Sequence, residues 1–365
     1  MEIFNQTRFV HQHTGALDKA GREYLLLVVK GTFDFGTDGA SAQLSAEQRP
    51  LVFADEYKGE PGFSAPLWET DFAHRKPRCD VIVNGDAHAP NGRPATSVRV
   101  GVRVGDWIKQ FDVVGAREWR AFGPVVAPTK PMPFTRMAFG YDTAFGGRDP
   151  DDPDDEIAPT YMDNPVGMGW ARATSLERVS GRPVPNTQAV DDPVATPFGD
   201  YTPMSLGPIP RNVPARSRYA GTYDQAWIDD VFPFLPADFD ERYFQSAPAD
   251  QWIDPPPSGT PVVILGLTPS GRESFRLPST ELPVRLFRGR ETALDTKLRA
   301  DTILFDCHAR QVSLVWRVDI PIRRKFIEIS EAWIGPPTEA MLRARAEGRR
   351  YIRAVATGGP EEDAP

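Results

Sequence analysis

Cysteine is scarce in this sequence. The chain has 365 residues and two cysteines, Cys79 and Cys307. Small secreted domains that depend on disulfides carry many more, so a disulfide framework is excluded and both thiols are expected to be reduced and buried. The opening residues, MEIFNQTRFVHQH, lack the charged and then apolar layout of a secretory signal. We therefore expect a cytoplasmic protein.

Long hydrophobic runs and an excess of basic residues are also missing. The longest apolar stretches, 25–29 and 262–267, are far shorter than the ~20 residues of a transmembrane helix. The 42 Lys and Arg are outnumbered by 50 Asp and Glu, whereas nucleic-acid binding relies on many basic contacts to phosphate. The sequence therefore predicts neither a membrane nor a nucleic acid as partner, and its acidic balance suits a basic protein partner.

The familiar catalytic and cofactor motifs are lacking as well. There is no G-x-S-x-G elbow, H-E-x-x-H helix, P-loop or G-x-G-x-x-G turn. His11 and His13 would share one face of a strand, but zinc needs three or four ligands and nothing nearby supplies the others. Prolines interrupt the acidic run RDPDDPDDE at 148–156, which favours a solvated loop over a calcium site. We expect no metal, no cofactor and no enzymatic activity.

Proline, by contrast, is abundant. The chain has 37 prolines, about 10% of its residues against a usual ~5%, and 22 of them lie between 124 and 257. Proline interrupts helices and central strands alike. The same stretch is rich in aromatic residues, which disordered segments lack. We therefore predict that 124–257 is a long, ordered connection with little regular helix or sheet.

Both ends of the chain have the patterns of β-strands. At 97–104, valines alternate with Ser, Arg and Gly, a period of two that buries one face. Gly105-Asp106 suits a two-residue hairpin loop. The last third has similar strand and turn patterns, at 260–279 and 300–321. A short helix is predicted at 338–350, with Thr338 as its N-cap.

These patterns predict a mainly-β protein. We expect two β-sheet lobes, sandwich- or barrel-like, at 1–123 and 258–352. The Pro-rich region 124–257 would join the two lobes. The short helix would end the second lobe, and 353–365 would form a frayed acidic tail.

Several loops with distinctive residues follow one another along the chain. They are K-P-x-x-D at 76–80, A-F-G-G at 144–147, N-P-x-G-x-G at 164–169, G-T-Y-D-x-x-W at 221–227, P-x-D-F-D-x-R-Y-F at 236–244 and A-P-x-D-Q at 247–251. In this order they resemble a bacterial family long filed as a domain of unknown function and now regarded as type VI secretion accessory proteins. The resemblance runs from about residue 20 to about residue 330.

The resemblance implies an adaptor, or effector chaperone. Such a protein binds a toxin effector and helps to load it on the secretion spike, a VgrG trimer tipped by a PAAR-repeat protein. No catalytic residue comes with the resemblance. Because protein interfaces favour aromatic residues, we predict partner-binding residues in the distinctive loops, namely Tyr141, Phe145, Gly146, Trp170, Tyr223, Asp224, Trp227, Asp250 and Gln251.

Two alternatives stay open at this point. First, the stretch YFQSAPADQW at 243–252 can be purely architectural, with its aromatic residues packed beneath the loop and Asp250 and Gln251 bound to backbone groups. Second, the β content, the eight Trp and the many Asp also suit a carbohydrate-active or carbohydrate-binding protein. Buried carboxylates with shifted pKa values in a deep cleft would favour the enzyme. A broad, shallow apolar patch would favour the adaptor.

Overall fold

Strands dominate the secondary structure, as the alternating apolar positions predict. The computed structural model describes residues 1–123, 125–149, 158–173, 176–323, 325, 328–349 and 351. Among these residues there are 24 strands and four short α-helices. The mainly-β class and the short C-terminal helix are therefore confirmed. The predicted tail at 353–365 and most of the acidic run at 148–156 lie outside the described residues.

The first sixteen strands precede residue 189. They are β1 (Glu2–Asn5), β2 (Val10–Leu17), β3 (Glu23–Asp34), β4 (Gln43–Leu44), β5 (Glu56–Tyr57), β6 (Pro66–Trp68), β7 (Cys79–Asn84), β8 (Asp86–His88), β9 (Ser97–Val104), β10 (Trp107–Val114), β11 (Trp119–Phe122), β12 (Val125–Pro128), β13 (Arg136–Ala138), β14 (Phe145–Gly146), β15 (Met168–Gly169) and β16 (Thr187–Gln188).

The remaining strands follow residue 251, and the helices are few. The strands are β17 (Trp252–Ile253), β18 (Pro261–Leu265), β19 (Arg272–Arg276), β20 (Glu281–Arg288), β21 (Glu291–Arg299), β22 (Thr302–Asp306), β23 (Gln311–Pro321) and β24 (Glu331–Ile334). The α-helices are α1 (Leu176–Val179), α2 (Pro214–Ser217), α3 (Gln225–Asp230) and α4 (Glu339–Ala346). Short 3-10 helices occupy Pro90–Gly92, Tyr141–Thr143, Glu241–Phe244 and Ala249–Gln251. No helix in the described part of the chain has both the length and the apolar character that a membrane crossing requires.

The largest sheet has seven strands and draws on both ends of the chain. Its order is β17-β7-β22-β23-β3-β2, with β4 paired to β3. The long strand β3 pairs antiparallel with β23, and β7 pairs in parallel with β22. The strands of 1–123 and those of 258–352, which the sequence suggested as separate lobes, are thus neighbours in one sheet.

The next two sheets also combine early and late strands. The five-stranded sheet runs β16-β10-β9-β18-β19, and the four-stranded sheet runs β1-β24-β20-β21. The predicted hairpin is confirmed as β9 and β10, with Val104 opposite Trp107 across the turn. Gly105 in that turn has a φ of 60°, a conformation that glycine adopts without strain.

One hydrophobic core joins these three sheets. It contains alternate residues of β3, the valines of β9, Phe111 of β10 and Leu286 of β20. The intervening residues of β3, such as Leu26 and Val28, are buried on the other face in a smaller cluster with Leu51. Both faces of β3 are covered, which explains why its sequence is continuously apolar from Leu25 to Val29 rather than alternating.

The Pro-rich middle region packs around a second core, to which Trp119 of the preceding strand β11 also contributes. Trp119, Val126, Phe145, Ala171, Val179, Val184 and Val194 form this second cluster. Trp119 is fully buried, and its indole Nε1 donates a hydrogen bond of 2.9 Å to the backbone oxygen of Gly169. The described residues of this region are therefore packed in an ordered way, although they contain few regular elements.

The C-terminal helix begins where its capping residue predicts. The Thr338 side chain accepts a hydrogen bond of 3.2 Å from the Met341 amide, and Met341 is buried. The helix ends at Ala346, four residues earlier than the sequence pattern suggested. Its last turn contains Arg343 and Arg345, which suit the negative end of the helix dipole.

Candidate binding surface

The K-P-x-x-D element and the loop QSAPADQW bind each other inside the protein. Lys76 Nζ lies 2.6 Å from Asp80 Oδ2, and both side chains are almost inaccessible to solvent. Asp80 also accepts hydrogen bonds from Gln245 Nε2 at 2.6 Å and from the Ser246 amide at 2.8 Å. A buried carboxylate needs such compensation to stay charged. The K-P-x-x-D element therefore holds a loop on strand β7.

Gln251 has a similar structural role. Its Nε2 donates to the backbone oxygens of Val81 at 2.7 Å and Leu206 at 3.1 Å, and its Oε1 accepts from Lys109 Nζ at 2.8 Å. Lys109 also forms an ion pair of 2.7 Å with Asp250. Burial lowers the pKa of Lys109, and the Asp250 carboxylate opposes that shift. An architectural role for this loop explains the hydrogen bonds of Gln251 and the ion pair between Asp250 and Lys109.

The two glycine-containing elements also meet each other. Strands β14 and β15 pair in parallel, with Phe145 opposite Met168. The buried Asn164 donates from Nδ2 to the backbone oxygens of Tyr141 at 2.7 Å and Phe145 at 3.1 Å. Gly146 has a φ of 146°, and a Cβ there would lie 2.2 Å from the backbone oxygen of Asn164. Close approach of backbone segments, rather than ligand binding, explains the glycine at this position.

These contacts correct part of the predicted interface. Tyr141, Phe145, Gly146 and Gln251 are buried, so in this structure none of them is available to a partner. Tyr141 and Phe145 lie inside because the loops around them form few regular elements and need large apolar side chains to exclude water between them. Trp170 is half-buried, with its ring 5.9 Å from that of Tyr161.

Three other predicted residues, Tyr223, Asp224 and Trp227, lie on an exposed apolar surface, whereas Asp250 lies elsewhere, beside Lys109. We define this surface as the 221–236 segment, which contains α3. Tyr223 is 51% exposed, Ile228 55% and Phe232 65%. The half-buried ring of Trp227 lies between its neighbours, 4.7 Å from Tyr223 and 5.5 Å from Phe232. The predicted set of Tyr223, Asp224 and Trp227 is thus brought together in one place.

Local hydrogen bonds fix the shape of the 221–236 segment. Asp224 caps α3, since its Oδ1 accepts from the Trp227 amide at 2.9 Å. The Trp227 indole donates to the backbone oxygen of Phe234 at 2.9 Å. At the base, Asp238 accepts from the Thr222 amide and hydroxyl at 3.0 and 2.8 Å. The exposed aromatic residues are therefore held in a defined arrangement.

A cavity of about 760 Å³ lies beside this segment. It is lined by parts of the β2–β3 turn, by residues around His74, by 235–241 and by the end of β23. The Phe234 ring packs against the β2–β3 turn. It lies so close that a Cβ added to Gly21 would be 3.1 Å from the ring. The segment and the cavity are therefore adjacent parts of one surface.

The half-buried carboxylate of Asp319 lines the cavity and is held by two basic neighbours. Arg75 Nη2 donates to both oxygens of Asp319, at 2.9 and 3.0 Å, and His74 Nε2 lies 3.6 Å from Asp319. Burial alone would raise the pKa of Asp319, but the contacts with His74 and Arg75 outweigh it and lower the pKa to about 2. The His74 ring stacks on Tyr24 with centroids 3.9 Å apart. Burial, reinforced by Asp319, raises the pKa of Tyr24 to about 12.

We predict that Asp319→Asn will reduce the free energy of unfolding at pH 7 by about 2 kcal/mol. This is the stabilisation that corresponds to a carboxyl pKa lowered on folding from 3.8 to about 2. Because the folded pKa is below the unfolded one, this stabilisation is present above pH 3.8 and is lost as the pH falls through about 2. Urea unfolding of both proteins at a series of pH values measures it. A difference that stays constant down to pH 2 would contradict the assignment.

Sequence reasoning missed Ile228, Phe232 and the cavity. One signal was available, since 220–241 contains six acidic residues, no Lys or Arg, and the apolar run VFPFLP. An exposed apolar patch rimmed by polar residues is typical of a protein interaction site. The cavity had no such signal, because the turn at 18–24 and the end of β23 meet only in the folded chain.

Fold and surface together define a mainly-β protein with an exposed, ordered aromatic segment next to an acidic cavity. Over residues 20–317 the chain matches the model of a bacterial family, described as an uncharacterized protein conserved in bacteria (DUF2169), and it belongs to that family. The comparison with curated proteins and the comparison with solved structures each found no match.

Proposed function

We propose that this protein is a type VI secretion adaptor, which binds a toxin effector and helps to load it on the VgrG/PAAR spike. The ordered set of distinctive loops resembles accessory proteins of that system. The observation that carries the proposal is the 221–236 segment, where Tyr223, Ile228 and Phe232 expose large apolar side chains next to one another in the sequence. An adaptor needs such a surface, whereas a protein without partners gains nothing from it.

The form of the segment supports a binding role. Aromatic residues provide much of the binding energy at protein interfaces. The Asp224 cap and the indole hydrogen bond of Trp227 hold the aromatic residues in place before a partner arrives. A surface that is already ordered loses less conformational entropy on binding. These features favour specific recognition over non-specific adhesion.

The carbohydrate-active alternative is less well supported. A glycosidase needs one carboxylic acid with a raised pKa as general acid. In the cavity, hydrogen bonds from Arg242 and from Thr222 lower the pKa values of Asp240 and Asp238, respectively. Asp319 is likewise held ionised by its contacts with His74 and Arg75. These three carboxylates are arranged for ion pairing and hydrogen bonding rather than for proton donation.

Co-purification tests the proposal. The tagged protein should capture the effector or the PAAR protein encoded beside its gene. We expect the double variant Tyr223→Ala/Phe232→Ala to weaken this complex at least thirtyfold, since truncating a central aromatic residue costs about 2 kcal/mol or more. Both side chains are mostly exposed, so the melting temperature should fall only slightly.

The matched control is Phe122→Ala. Phe122 is 65% exposed, as Phe232 is, but it lies on the β11–β12 hairpin. We expect this variant to bind like the wild type. If the wild-type protein captures neither effector nor spike component, and instead hydrolyses a glycan, the adaptor proposal fails.

A further inference from the structure

We infer that the cavity beside the 221–236 segment receives a lysine or arginine side chain of the bound protein, while the exposed aromatic residues contact apolar side chains of the same stretch. The occupant is thus a basic, amphipathic segment. Its identification as part of the effector rests on the proposed function, but the chemistry of the cavity does not.

The charge of the cavity is the first argument. Its lining contains the basic side chains of Lys19, Arg22 and Arg75 and the imidazole of His74. The carboxylates that line it are Asp18, Glu23, Asp238, Asp240, Glu241 and Asp319. The excess of acids in a concave site concentrates negative potential there. A cationic side chain is the complement of such a site.

In the described part of the chain, four of these acids have a hydrogen-bond or ion-pair partner, and the other two do not, although, after the hydrogen bond to Asp319, the charge of Glu241 helps to raise the pKa of Arg75. Asp18 forms an ion pair of 2.8 Å with Arg22, Asp319 is bound by Arg75, and Asp238 is held by Thr222. Within the described residues, the side chains of Glu23 and Glu241 form neither a hydrogen bond nor an ion pair. These two carboxylates are therefore available to a cation from outside.

The position of the cavity is the second argument. Leu235, at the end of the 221–236 segment, also lines the cavity, and Phe234 packs on the turn that forms its rim. Asp229 and Asp230 at the end of α3 extend the negative charge along the exposed apolar side chains. A single stretch of partner chain with alternating apolar and basic residues would match both parts at once.

A pair of synthetic peptides tests the inference on the whole protein. One fluorescein-labelled 16-residue peptide alternates Arg with Leu and Phe, and its twin has Glu in place of every Arg. By fluorescence anisotropy we expect the basic peptide to bind at least about tenfold more tightly than the twin, because charge complementarity discriminates between partners. Binding of the basic peptide should weaken with salt, since the Debye length falls from ~10 Å at 0.1 M to ~3 Å at 1 M.

Charge reversal separates the cavity from the general acidity of the surface. The variant Glu23→Lys/Glu241→Lys should weaken basic-peptide binding about tenfold or more. The control Asp163→Lys/Asp192→Lys changes the net charge equally, at exposed acids that do not line the cavity. It should bind like the wild type, and circular dichroism should show that both variants are folded. Equal binding of the two peptides, absence of binding, or an equal loss in both variants would overturn the inference.

The same variants distinguish this inference from the adaptor proposal. If the wild-type protein captures its effector and Glu23→Lys/Glu241→Lys captures it equally well, the adaptor proposal stands and the cavity has no part in recognition. If the wild type captures no effector but binds the basic peptide through Glu23 and Glu241, the cavity recognises basic segments and the adaptor proposal is wrong.

Discussion

Asp80→Asn should destabilise the protein by about 3–5 kcal/mol, the range for removing one partner of a buried ion pair. The Asp80 side chain is fully buried and that of Lys76 is 2% exposed. The substitution retains the shape of the side chain but removes the carboxylate charge that pairs directly with the buried Lys76 ammonium. It also weakens the contacts with Gln245 and Ser246 that hold the loop on β7. Urea unfolding at pH 7 measures the loss.

An exposed ion pair provides the control for this prediction. Arg99 and Asp112 pair across the β9–β10 hairpin, and the Arg99 side chain is 42% exposed. Asp112→Asn should cost about 1 kcal/mol or less, because water replaces the lost contact. If Asp80→Asn proves as mild as Asp112→Asn, the buried pair does not hold the loop, and the K-P-x-x-D element has no such structural role.

Phe145→Ala should cost a similar amount, about 3–5 kcal/mol, as for other large aromatic residues removed from a core. Phe145 is 1% exposed, and its ring makes edge-to-face contacts with Tyr161 at 5.1 Å and Tyr201 at 5.0 Å. Its removal leaves a void at the centre of the second core cluster. Thermal unfolding should show a lowered melting temperature.

Tyr223→Ala is the control variant, since it removes an exposed aromatic side chain instead of a buried one. Tyr223 is half exposed, and its loss should cost about 0.5 kcal/mol or less. The two variants should therefore separate stability from binding, with Phe145 affecting the first and Tyr223 the second. A Phe145→Ala protein that keeps its melting temperature but loses its partner would restore the sequence-based view that this loop is a contact surface.

Much of the local structure could be predicted from the sequence. The alternating valines of β9, the Gly105 turn and the continuous apolar run of β3 each depend on neighbours a few residues away. The same holds for the Thr338 cap, which the structure confirms. In all these cases side-chain periodicity or one hydrogen bond decides the conformation, and both are visible in a short stretch of chain.

The role of the distinctive loops could be predicted only in part. Aromatic residues are favoured both in cores and at interfaces, so their presence alone does not separate Phe145, which is buried, from Phe232, which is exposed. The partner of Gln251 is Lys109, 142 residues away in the chain. The sequence around Lys109 does not indicate that its ammonium group will bind the amide of Gln251 and the carboxylate of Asp250.

The interleaving of early and late strands has a consequence for biosynthesis. The hydroxyls of Thr32 in β3 and Ser313 in β23 are 3.0 Å apart in space and 281 residues apart in the chain. At ~5–20 residues per second, a ribosome needs on the order of 15–60 s to make that stretch. Until then the apolar strand β3 emerges without the neighbour that covers its edge, and unpaired edges of this kind promote aggregation. We therefore expect the nascent chain to need protection from aggregation until β23 (Gln311–Pro321) has been made.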